Sequence, residues 1–492
     1  MTELYTPGQM SFAEKNGGTA LDVLMQNAGE ALAEKVRSVC NKKMLKRALL
    51  LCGKGNNGGD GFAAAEILSL SGIDTTVFLC CGMPKTELAQ AAFESMKKYG
   101  VSITESMPEE DHYIVVDCVF GTGFKGSLPE DIAEIFSRYN SIDVYRIACD
   151  IPSGVNGATG EADENTFAAH ETVTMQRAKT AAALYPACKY FGKITVADIG
   201  INSDVSGVFL IDKDDVKNAL PKRPPDGHKG TFGKVVCICG SERYTGAAAM
   251  AVKAAMRSGA GLVQLCSVKT VIDRLAGNMY GAIFKALPQN DKGYISSSAA
   301  ETVAQEVKTA DSVLFGCGLG CGEDTQKLLA AVLENAVCPV IIDADGINCL
   351  SANIDILKST RADVLLTPHP MELARLCGLE KPPADRYKAA KELSERYGVS
   401  VLAKGAQTFY VTREGDYITA KGNTALSKGG SGDMLAGLTA GLAAQGAKLC
   451  GALASYILGE TAERLCLTMS PRGVIAEDIL NALPEVLCDI EK

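Results

Sequence analysis

Two glycine-rich segments of this chain combine a freely shaped backbone with acidic side chains. The first, CGKGNNGGDG at 52–61, lies between an apolar run and a helical pattern and holds Asp60 among five glycines. The second, KGGSGDMLAGLTAG at 428–441, places three glycines just before Asp433. Glycine lets backbone N–H groups approach an anion where a helix begins. Both segments therefore predict phosphate-binding turns beside an acidic side chain.

The first segment also has the G-x-G-x-x-G spacing of a dinucleotide-binding dehydrogenase, at Gly53, Gly55 and Gly58. In that class of enzyme an acid at the end of the second strand binds the ribose. Here that strand ends in Cys-Cys-Gly at 80–82, and Asp74 precedes it. The spacing therefore does not identify a dehydrogenase. A tight strand-to-helix turn would explain one asparagine of the segment but not its whole polar cluster.

Two further apolar runs end in an aspartate that is followed by glycines. They are VDCVFGTGFKGS at 116–127, which contains Asp117, and CDIPSGVNGATG at 149–160, which contains Asp150. Ligands of open α/β sheets bind outside the carboxyl ends of the strands. Three polar, glycine-rich strand ends in one sheet therefore predict a shared binding site.

Asp433 follows Gly429, Gly430 and Gly432 on the first turn of a predicted helix. The helix dipole alone stabilises a carboxylate at this position, so a simple N-terminal helix acid is one interpretation. It does not account for three glycines in four positions. We therefore predict a catalytic base beside a bound phosphate.

The elements that would hold these residues alternate between strand and helix patterns. Apolar runs lie at 47–52, 75–80, 113–117, 144–149 and 194–198, and a second series lies at 234–239, 261–266, 312–315, 340–343, 364–367 and 400–403. Helical patterns cover 12–36, 61–70 and the Ala- and Gly-rich stretch 432–465, among others. Such alternation predicts an α/β fold with parallel strands. A turn-rich break with three prolines at 212–226 predicts two domains, 1–215 and 222–492.

Composition and charge limit the partners and the kinds of site that we expect. The formal net charge is −9 over 492 residues, so we expect no nucleic-acid partner. The 18 cysteines form no C-x-x-C pair and only four histidines are present, which argues against a zinc cluster or a disulfide framework. No secretory signal or membrane-length apolar segment is evident, so we expect a cytoplasmic protein without a membrane partner. Helices rich in small residues are compatible with a homo-oligomer.

Four motifs in the first half resemble the NAD(P)H-hydrate epimerase family over residues 1–215. They are LMQNAG at 24–29, GNNGGDG at 55–61, VDCVFGTG at 116–123 and DIPSGVNGATG at 150–160. The resemblance implies that the hydrated dinucleotide is bound by Asn56, Asn57, Gly58, Gly59, Asp60, Gly121, Thr122, Gly123, Phe124, Lys125, Gly126, Ser127 and Asp150. It also implies a potassium site at Asn57, Asp117 and Ser153, whose oxygen atoms suit a hard cation. Asp150 is the predicted acid/base for epimerisation, with Asp60 as the next candidate.

In the second half, the sequence G-x-G-D at the start of a late helix resembles the ribokinase superfamily. There the aspartate takes the proton from the hydroxyl group that is phosphorylated. Residues 222–492 resemble the NAD(P)H-hydrate dehydratase family through HKGTFGKVVCICGS at 228–241, YTGAAAMAVKAAMRSGAGLV at 244–263, GCGLG at 316–320, DADGIN at 343–348, TPHPMELARL at 367–376 and AKGAQTFY at 403–410. One segment departs from the family, because GNTALSK at 422–428 stands where many members have a Pro-Gly-Met-Ala-Thr-like stretch.

The second resemblance also implies site residues. Gly318, Gly320, His369 and Asp433 would meet the hydrated dinucleotide, and Lys404, Gly405, Ala406, Gln407, Thr408 and Gly432 would bind ADP or ATP. Glu372 is a candidate acid on the magnesium side. For His369, which lies between two prolines, a purely structural turn role stays open.

Together the resemblances imply a Rossmann-like three-layer sandwich followed by a ribokinase-like three-layer sandwich, in an enzyme that repairs hydrated NADH and NADPH (NADHX and NADPHX). The first domain would interconvert the R and S hydrates with K⁺. The second would phosphorylate the hydroxyl of the S hydrate with ADP or ATP and Mg²⁺, because phosphate leaves more readily than hydroxide. Two alternatives stay open: a ribokinase-superfamily kinase of a small vitamin-type alcohol fused to a dinucleotide-binding module, and a non-catalytic N-terminal module for binding or oligomerisation.

Overall fold

The computed structural model of the chain describes residues 1–108 and 114–492. The chain forms two compact units, one of Thr2–Val208 and one of Phe209–Lys492 together with Met1. Both are α/β units with parallel strands, as predicted. Across the described ranges, no helix is both long and apolar enough to cross a membrane.

The N-terminal unit alternates between strands and helices. Its elements are β1 (Thr2–Tyr5), α1 (Pro7–Asn16), α2 (Leu21–Lys43), β2 (Arg47–Cys52), α3 (Asn56–Leu70), β3 (Asp74–Leu79), α4 (Glu87–Met96), β4 (Ser102–Thr104), β5 (Ile114–Cys118), α5 (Glu130–Ser141), β6 (Tyr145–Cys149), β7 (Glu171–Met175), β8 (Ala178–Lys179) and β9 (Lys193–Ala197). The main sheet has the order β4-β3-β2-β5-β6-β7-β9, and these pairings are parallel. β1 pairs in parallel with β8.

The C-terminal unit repeats this alternation on a second sheet. After β10 (Val208–Leu210), its elements are α6 (Lys213–Ala219), β11 (Lys234–Ile238), α7 (Thr245–Arg257), β12 (Leu262–Val268), α8 (Lys269–Leu275), β13 (Ala282–Leu287), α9 (Ala300–Val307), β14 (Ser312–Phe315), α10 (Glu323–Asn335), β15 (Val340–Ile342), α11 (Asp345–Ser351), β16 (Val364–Leu366), α12 (Pro370–Leu376), α13 (Arg386–Tyr397), β17 (Ser400–Ala403), β18 (Thr408–Val411), β19 (Asp416–Thr419), α14 (Ser431–Ala444), α15 (Cys450–Leu465) and α16 (Ala476–Glu491). Its strands have the order β13-β12-β11-β14-β15-β16-β17-β18-β19. The pairings are parallel up to β17 and antiparallel for β17-β18-β19.

Strand β2 shows why the N-terminal sheet is covered on both faces. Its sequence is almost continuously apolar, and alternate side chains of a strand point to opposite faces. Leu50 and Cys52 join a core with α2, α3 and α4, whereas Leu49 and Leu51 join a core with α5. Continuous apolar runs are typical of parallel strands buried on both sides. The unit is therefore a three-layer sandwich.

In the C-terminal unit, helix α14 is buried along most of its length because small residues let it approach its neighbour α7 closely. A Cβ on Gly437 would lie 2.1 Å from the backbone oxygen of Ala251, and one on Gly441 would lie 1.9 Å from Ser258 Oγ. The Ala- and Gly-rich composition of this helix therefore has a packing cause. This close packing fixes the position of the α14 N-terminus.

Two predicted helices have different bounds in the structure. The predicted segment 12–36 is interrupted, because α1 ends at Asn16 and α2 begins at Leu21. Gly18 between them has a φ of +77°, which glycine adopts easily and a helix does not. The helix after β2 begins at Asn56, well before residue 61, so the polar cluster of the first glycine segment occupies the opening turns of a helix. Tyr113, the first residue of the predicted strand 113–117, lies outside the described residues.

Candidate active sites

The three polar strand ends predicted for the N-terminal unit meet at one edge of its sheet. β2, β5 and β6 are neighbouring parallel strands. β2 leads into the N-terminus of α3, β5 contains Asp117 as its last residue but one, and β6 leads directly into Asp150. The carboxyl ends of parallel strands share an edge, which is why residues far apart in the sequence come together here.

Asp117 is fully buried, and both of its carboxylate oxygens accept hydrogen bonds. Oδ1 accepts from the Val119 N–H at 3.0 Å and from Ser153 Oγ at 2.7 Å, and Oδ2 accepts from the Ser153 N–H at 2.7 Å. Burial raises the pKa of Asp117 to about 6, and these hydrogen bonds oppose the rise. Two of the three predicted potassium ligands are therefore in direct contact.

Asn57, the third predicted potassium ligand, lies on the first turn of α3. Its Nδ2 is buried and has no hydrogen-bond partner among the described residues. The two ends of an asparagine amide are assigned from their surroundings, and exchanging them would place an oxygen at this unsatisfied position. Gly121 lies next to this side chain, since a Cβ on Gly121 would be 3.5 Å from Asn57 Oδ1. The donor types and the unsatisfied amide fit a monovalent cation held by oxygen atoms.

Asp150 has a φ of +64°, a conformation that is uncommon for a residue with a side chain. Its Oδ1 accepts hydrogen bonds from the Met175 N–H at 3.0 Å, from Thr174 Oγ1 at 3.3 Å and from Lys179 Nζ. Lys179 is fully buried and also donates to the Met175 carbonyl at 2.9 Å. Lys179 is not among the residues predicted from the sequence, because its two-residue strand β8 has no motif or periodic pattern. One oxygen of Asp150 is thus fixed by three donors.

A cavity of about 100 Å³ lies beside Asp150 and is lined by Glu14, Asn56 and Asp60 together with apolar side chains. Burial raises the pKa of Asp60 well above its usual range, and the charges of Asp150 and Glu14 add to the rise. Burial and Asp150 also raise the pKa of Glu14. Asp150 is paired with a lysine, whereas Asp60 is desolvated, and such contrasting environments separate an acid from a base. The geometry can therefore support proton transfer in both directions.

Other predicted substrate-binding residues of this unit have visible packing roles. A Cβ on Gly58 would lie 1.9 Å from the Gly53 carbonyl oxygen, and a Cβ on Gly59 would lie 2.4 Å from Met25 Cε. Both glycines let α3 pack tightly, which holds the polar opening turn in place. The segment 121–127 follows β5 and is partly or fully exposed throughout. Its contacts with a dinucleotide stay predictions.

In the C-terminal unit, Asp433 lies on the first turn of α14, whose N-cap is Gly430 with a φ of +93°. The first N–H groups of a helix have no acceptor within that helix. The turn therefore presents hydrogen-bond donors beside a carboxylate. Burial raises the pKa of Asp433 to about 6, and the charge of Asp343 contributes to the rise. A carboxyl group with a pKa near the operating pH suits a general base.

Asp343, directly after β15, is a buried anion of this site and is not among the predicted site residues. Its Oδ1 accepts from Lys404 Nζ at 2.8 Å and from Thr367 Oγ1 at 2.7 Å. Lys404 Nζ also lies 3.9 Å from Glu372 Oε2. A Cβ on Gly432 would lie 3.5 Å from Lys404 Nζ and 3.8 Å from Asp343 Oδ2, so the lysine and the glycine turn share one site. The sequence does carry a signal for Asp343, because this aspartate directly follows the apolar strand β15.

His369 caps helix α12. Its Nδ1 accepts from the N–H groups of Met371 at 3.1 Å and Glu372 at 3.4 Å, and Glu372 Oε2 accepts from the His369 N–H at 2.8 Å. Burial lowers the pKa of His369, and Lys404 and Arg375 lower it further, whereas burial raises the pKa of Glu372 to about 7. His369 therefore has the structural turn role that the sequence left open. Its side chain is also 47% exposed, so it can meet a ligand.

The predicted nucleotide loop 404–408 is supported by Arg386, a residue that the sequence did not indicate. The Arg386 guanidinium donates to the carbonyl of Lys404 at 2.9 Å and to that of Gln407 at 3.1 Å. A Cβ on Gly405 would lie 1.8 Å from the same guanidinium. Gly405 and Ala406 are exposed, whereas Gln407 and Thr408 are buried. The loop therefore offers mainly its backbone and Lys404 to a ligand.

Gly318 and Gly320 follow β14 and have φ values of +66° and +80°. A Cβ on Gly318 would lie 2.8 Å from Tyr244 Cβ, and one on Gly320 would lie 2.6 Å from Tyr294 Cε1. The Gly320 N–H donates to Asp345 Oδ2 at 2.8 Å. These glycines let two tyrosines approach the loop after β14.

Comparison with known proteins agrees with the division into two units. Residues 21–181 match the family model described as YjeF-related protein N-terminus. Residues 235–485 match the family model described as NAD(P)H-hydrate dehydratase.

Curated relatives match nearly the whole chain. The bifunctional NAD(P)H-hydrate repair enzyme Nnr of Moorella thermoacetica is 32% identical, and the alignment covers 96% of this chain and 93% of the relative. The enzyme of the same description from Escherichia coli is 31% identical over 96% of this chain and 90% of the relative.

Two solved structures resemble the C-terminal unit. The ADP/ATP-dependent NAD(P)H-hydrate dehydratase from Bacillus subtilis, co-crystallized with ATP/Mg²⁺, is 29% identical with a TM-score of 0.50. It covers 58% of this chain, which covers 99% of that structure. A ribokinase-like superfamily protein from Enterococcus faecalis is 26% identical with a TM-score of 0.51, over 59% of this chain and 99% of that one.

The fold and the two sites define an α/β enzyme with a ribokinase-like C-terminal domain. The chain belongs to the family of bifunctional NAD(P)H-hydrate repair enzymes. Because these relatives match along both units, the alternative of a vitamin-type kinase fused to a binding module is not favoured.

Proposed function

We propose that this chain repairs hydrated NADH and NADPH. Its N-terminal unit would interconvert the R and S epimers, and its C-terminal unit would dehydrate the S epimer at the expense of ADP or ATP. One observation carries the proposal: each unit has its own acid–base site, with Asp60 and Asp150 in one and Asp433 in the other. A non-catalytic N-terminal module would not need the buried ion pair between Asp150 and Lys179.

In the N-terminal unit, epimerisation moves protons at the hydrated ring, and two carboxyl groups divide this task. Asp150, which is paired with Lys179, accepts a proton, and Asp60, whose pKa is raised by burial, donates one. The residues 56–60 and the loop 121–127 hold the dinucleotide. Asn57, Asp117 and Ser153 would hold K⁺, which would offset the negative charge of the substrate when bound.

In the C-terminal unit, Asp433 takes the proton of the substrate hydroxyl while that oxygen attacks the terminal phosphorus of the nucleotide. The bond from this phosphorus to the bridging oxygen breaks, so that ADP leaves as AMP, or ATP as ADP. The carbon–oxygen bond then breaks and phosphate leaves. Loss of a proton from the neighbouring carbon restores the dihydronicotinamide ring. Lys404 and the N–H groups of 429–432 hold the phosphates, and Gly318, Gly320 and His369 contact the dinucleotide.

Magnesium fits this site through the chemistry of its acids. Mg²⁺ takes oxygen ligands and shares them with substrate phosphates. Glu372 is nearly buried and Lys404 Nζ lies 3.9 Å from its Oε2. Burial raises the pKa of Glu372 to about 7, so a bound cation would favour its ionised form. When bound, Mg²⁺ would neutralise phosphate charge during transfer.

The experiment that tests this function measures recovery of NADH absorbance from the purified S hydrate. We expect recovery to require both a nucleotide and Mg²⁺, and to stop in a chelator. Recovery in chelator without nucleotide would contradict phosphorylation. Consumption of nucleotide without NADH would point to a kinase of another alcohol.

A further inference from the structure

The segment 422–428 ends in a lysine whose ammonium is surrounded by backbone carbonyls. Lys428 Nζ donates to the carbonyl oxygens of Pro471 at 3.1 Å and Arg472 at 2.9 Å, and to that of Val474. Within 1–108 and 114–492, all of its hydrogen bonds go to these three oxygens. An ammonium held by carbonyls and by no carboxylate occupies the kind of oxygen cage that binds a hard cation.

The three carbonyls face the lysine because the loop 470–474 is a tight turn. The Ser470 carbonyl accepts from the N–H groups of Gly473 at 2.8 Å and Val474 at 3.3 Å, and Ser470 Oγ accepts from the Arg472 N–H at 3.3 Å. These internal bonds satisfy the N–H groups of the turn and leave the carbonyls of residues 471, 472 and 474 for another donor. The loop is therefore shaped to receive a cation.

The same loop lies against the phosphate-binding turn of the C-terminal site. Lys428 directly precedes Gly429 and Gly430, and its own carbonyl accepts from the Ser431 N–H at 3.4 Å. A Cβ on Gly430 would lie 3.5 Å from the Cβ of Ala476, the first residue of α16 after the loop. The start of α16, directly after the loop, therefore lies next to Gly430. The hydrogen bonds of Lys428 connect the turn to the loop itself.

We propose that Lys428 is a built-in cation that positions the phosphate-binding turn 429–432 for the nucleotide, by holding the loop 470–474 with its ammonium. This inference rests on the proposed dehydratase function. Lys428 is a positioning residue. Its ammonium holds the three carbonyls of the loop in the way that a bound monovalent cation would hold them. Nucleotide use by the C-terminal unit is therefore independent of added K⁺ or Na⁺, and removal of the ammonium makes it dependent on such a cation.

The test compares the full-length wild type with Lys428→Ala, with the purified S hydrate as substrate and tetramethylammonium as the only monovalent cation. The S epimer keeps the N-terminal unit out of the assay. We expect kcat/KM for the nucleotide to fall at least about tenfold in Lys428→Ala, mainly through KM, because the variant loses three charge-assisted hydrogen bonds and the loss of one such bond costs on the order of tenfold. Added K⁺ or NH₄⁺ should restore most of the loss, and neither should change the wild type.

Lys269→Ala is the matched control, because Lys269 is a 75% exposed lysine on α8 that pairs with Asp273. It should behave as the wild type with and without cations. If the role of Lys428 were merely structural, Lys428→Ala would lower the melting temperature, and K⁺ or NH₄⁺ would not restore kcat/KM. If Lys428→Ala does not fold, Lys428→Gln removes the charge but keeps a polar side chain that is one atom shorter, and the same rescue is expected.

Two outcomes would overturn the inference: an unchanged kcat/KM in the variant, or a loss that no monovalent cation restores. Calorimetric binding of ADP and ATP gives an independent readout. A wild type that binds nucleotide but does not convert the S hydrate would refute the proposed function. Even then, weaker, cation-restored nucleotide binding by Lys428→Ala would support the role of Lys428.

Discussion

The raised pKa of Asp433 predicts how dehydration depends on pH. Asp433 must be ionised to accept the hydroxyl proton, and burial together with Asp343 raises its pKa to about 6. The group is therefore mostly charged above pH 6 and loses its charge as the pH falls below 6. Because this pKa is that of the ligand-free enzyme, we expect kcat/KM for the S hydrate to be lost on the acidic side.

The size of the effect follows from that pKa. At one pH unit below the pKa of a base, about one tenth of the molecules carry the active form. We therefore expect kcat/KM at pH 5 to be about tenfold lower than on the plateau above neutral pH. Asp433→Asn keeps the shape of the side chain but removes the base. It should lower kcat on the order of a hundredfold or more and abolish the acidic limb.

The assay is the initial rate of NADH formation at concentrations of S hydrate and nucleotide below their KM values, with Mg²⁺ present and an enzyme-free control subtracted at each pH. The phosphates of the nucleotide also change protonation with pH, so nucleotide affinity is measured by calorimetry at each pH as a control. The affinity of Asp433→Asn should follow that of the wild type. A wild-type profile that is flat through pH 6 would refute the assigned role of Asp433. So would an Asp433→Asn variant that keeps the wild-type rate.

Three further predictions concern the N-terminal site and the packing of the C-terminal unit. Lys179→Met removes the cation bonded to Asp150 and should slow R-to-S conversion at least tenfold while dehydration of the S hydrate is unchanged; equal epimerisation rates would refute a role for the lysine. Ser153→Ala removes a predicted potassium ligand and should raise the K⁺ concentration needed for epimerisation, whereas identical K⁺ titrations would argue against the site. Gly437→Val places a side chain where a Cβ would lie 2.1 Å from the Ala251 oxygen; urea unfolding should show a loss of about 1–3 kcal/mol in the free energy of unfolding, and an unchanged midpoint would contradict the packing.

Strand ends were the part of the site most readily predicted from the sequence. Asp117 and Asp150 each follow an apolar run, and the parallel order of β2, β5 and β6 brings them to one edge. The site at the N-terminus of α14 could also be predicted, because three glycines just before Asp433 are not explained by a simple helix start. Each aspartate with its neighbouring apolar run or glycines lies within one short stretch of sequence, which is why these residues could be predicted.

Features that depend on distant contacts were not predicted. Lys179 lies on a two-residue strand and reaches Asp150 across 29 positions, and Arg386 reaches the loop after β17 across 18. The opening helix was predicted as continuous because apolar spacing persists across the break at Gly18. His369 caps α12 and is also exposed to a ligand, and the sequence alone does not show which of these two roles it has.

The central claim is that two independent active sites act in sequence on the two epimers, and chiral chromatography of both epimers over time tests it most directly. Asp150→Ala should leave conversion of the S epimer intact and slow only that of the R epimer, to the rate set by an enzyme-free control. Asp433→Ala should block net repair of both epimers while R-to-S interconversion continues. An Asp150→Ala enzyme that epimerises as fast as the wild type, or an Asp433→Ala enzyme that also loses epimerisation, would contradict two separate sites with these catalytic residues.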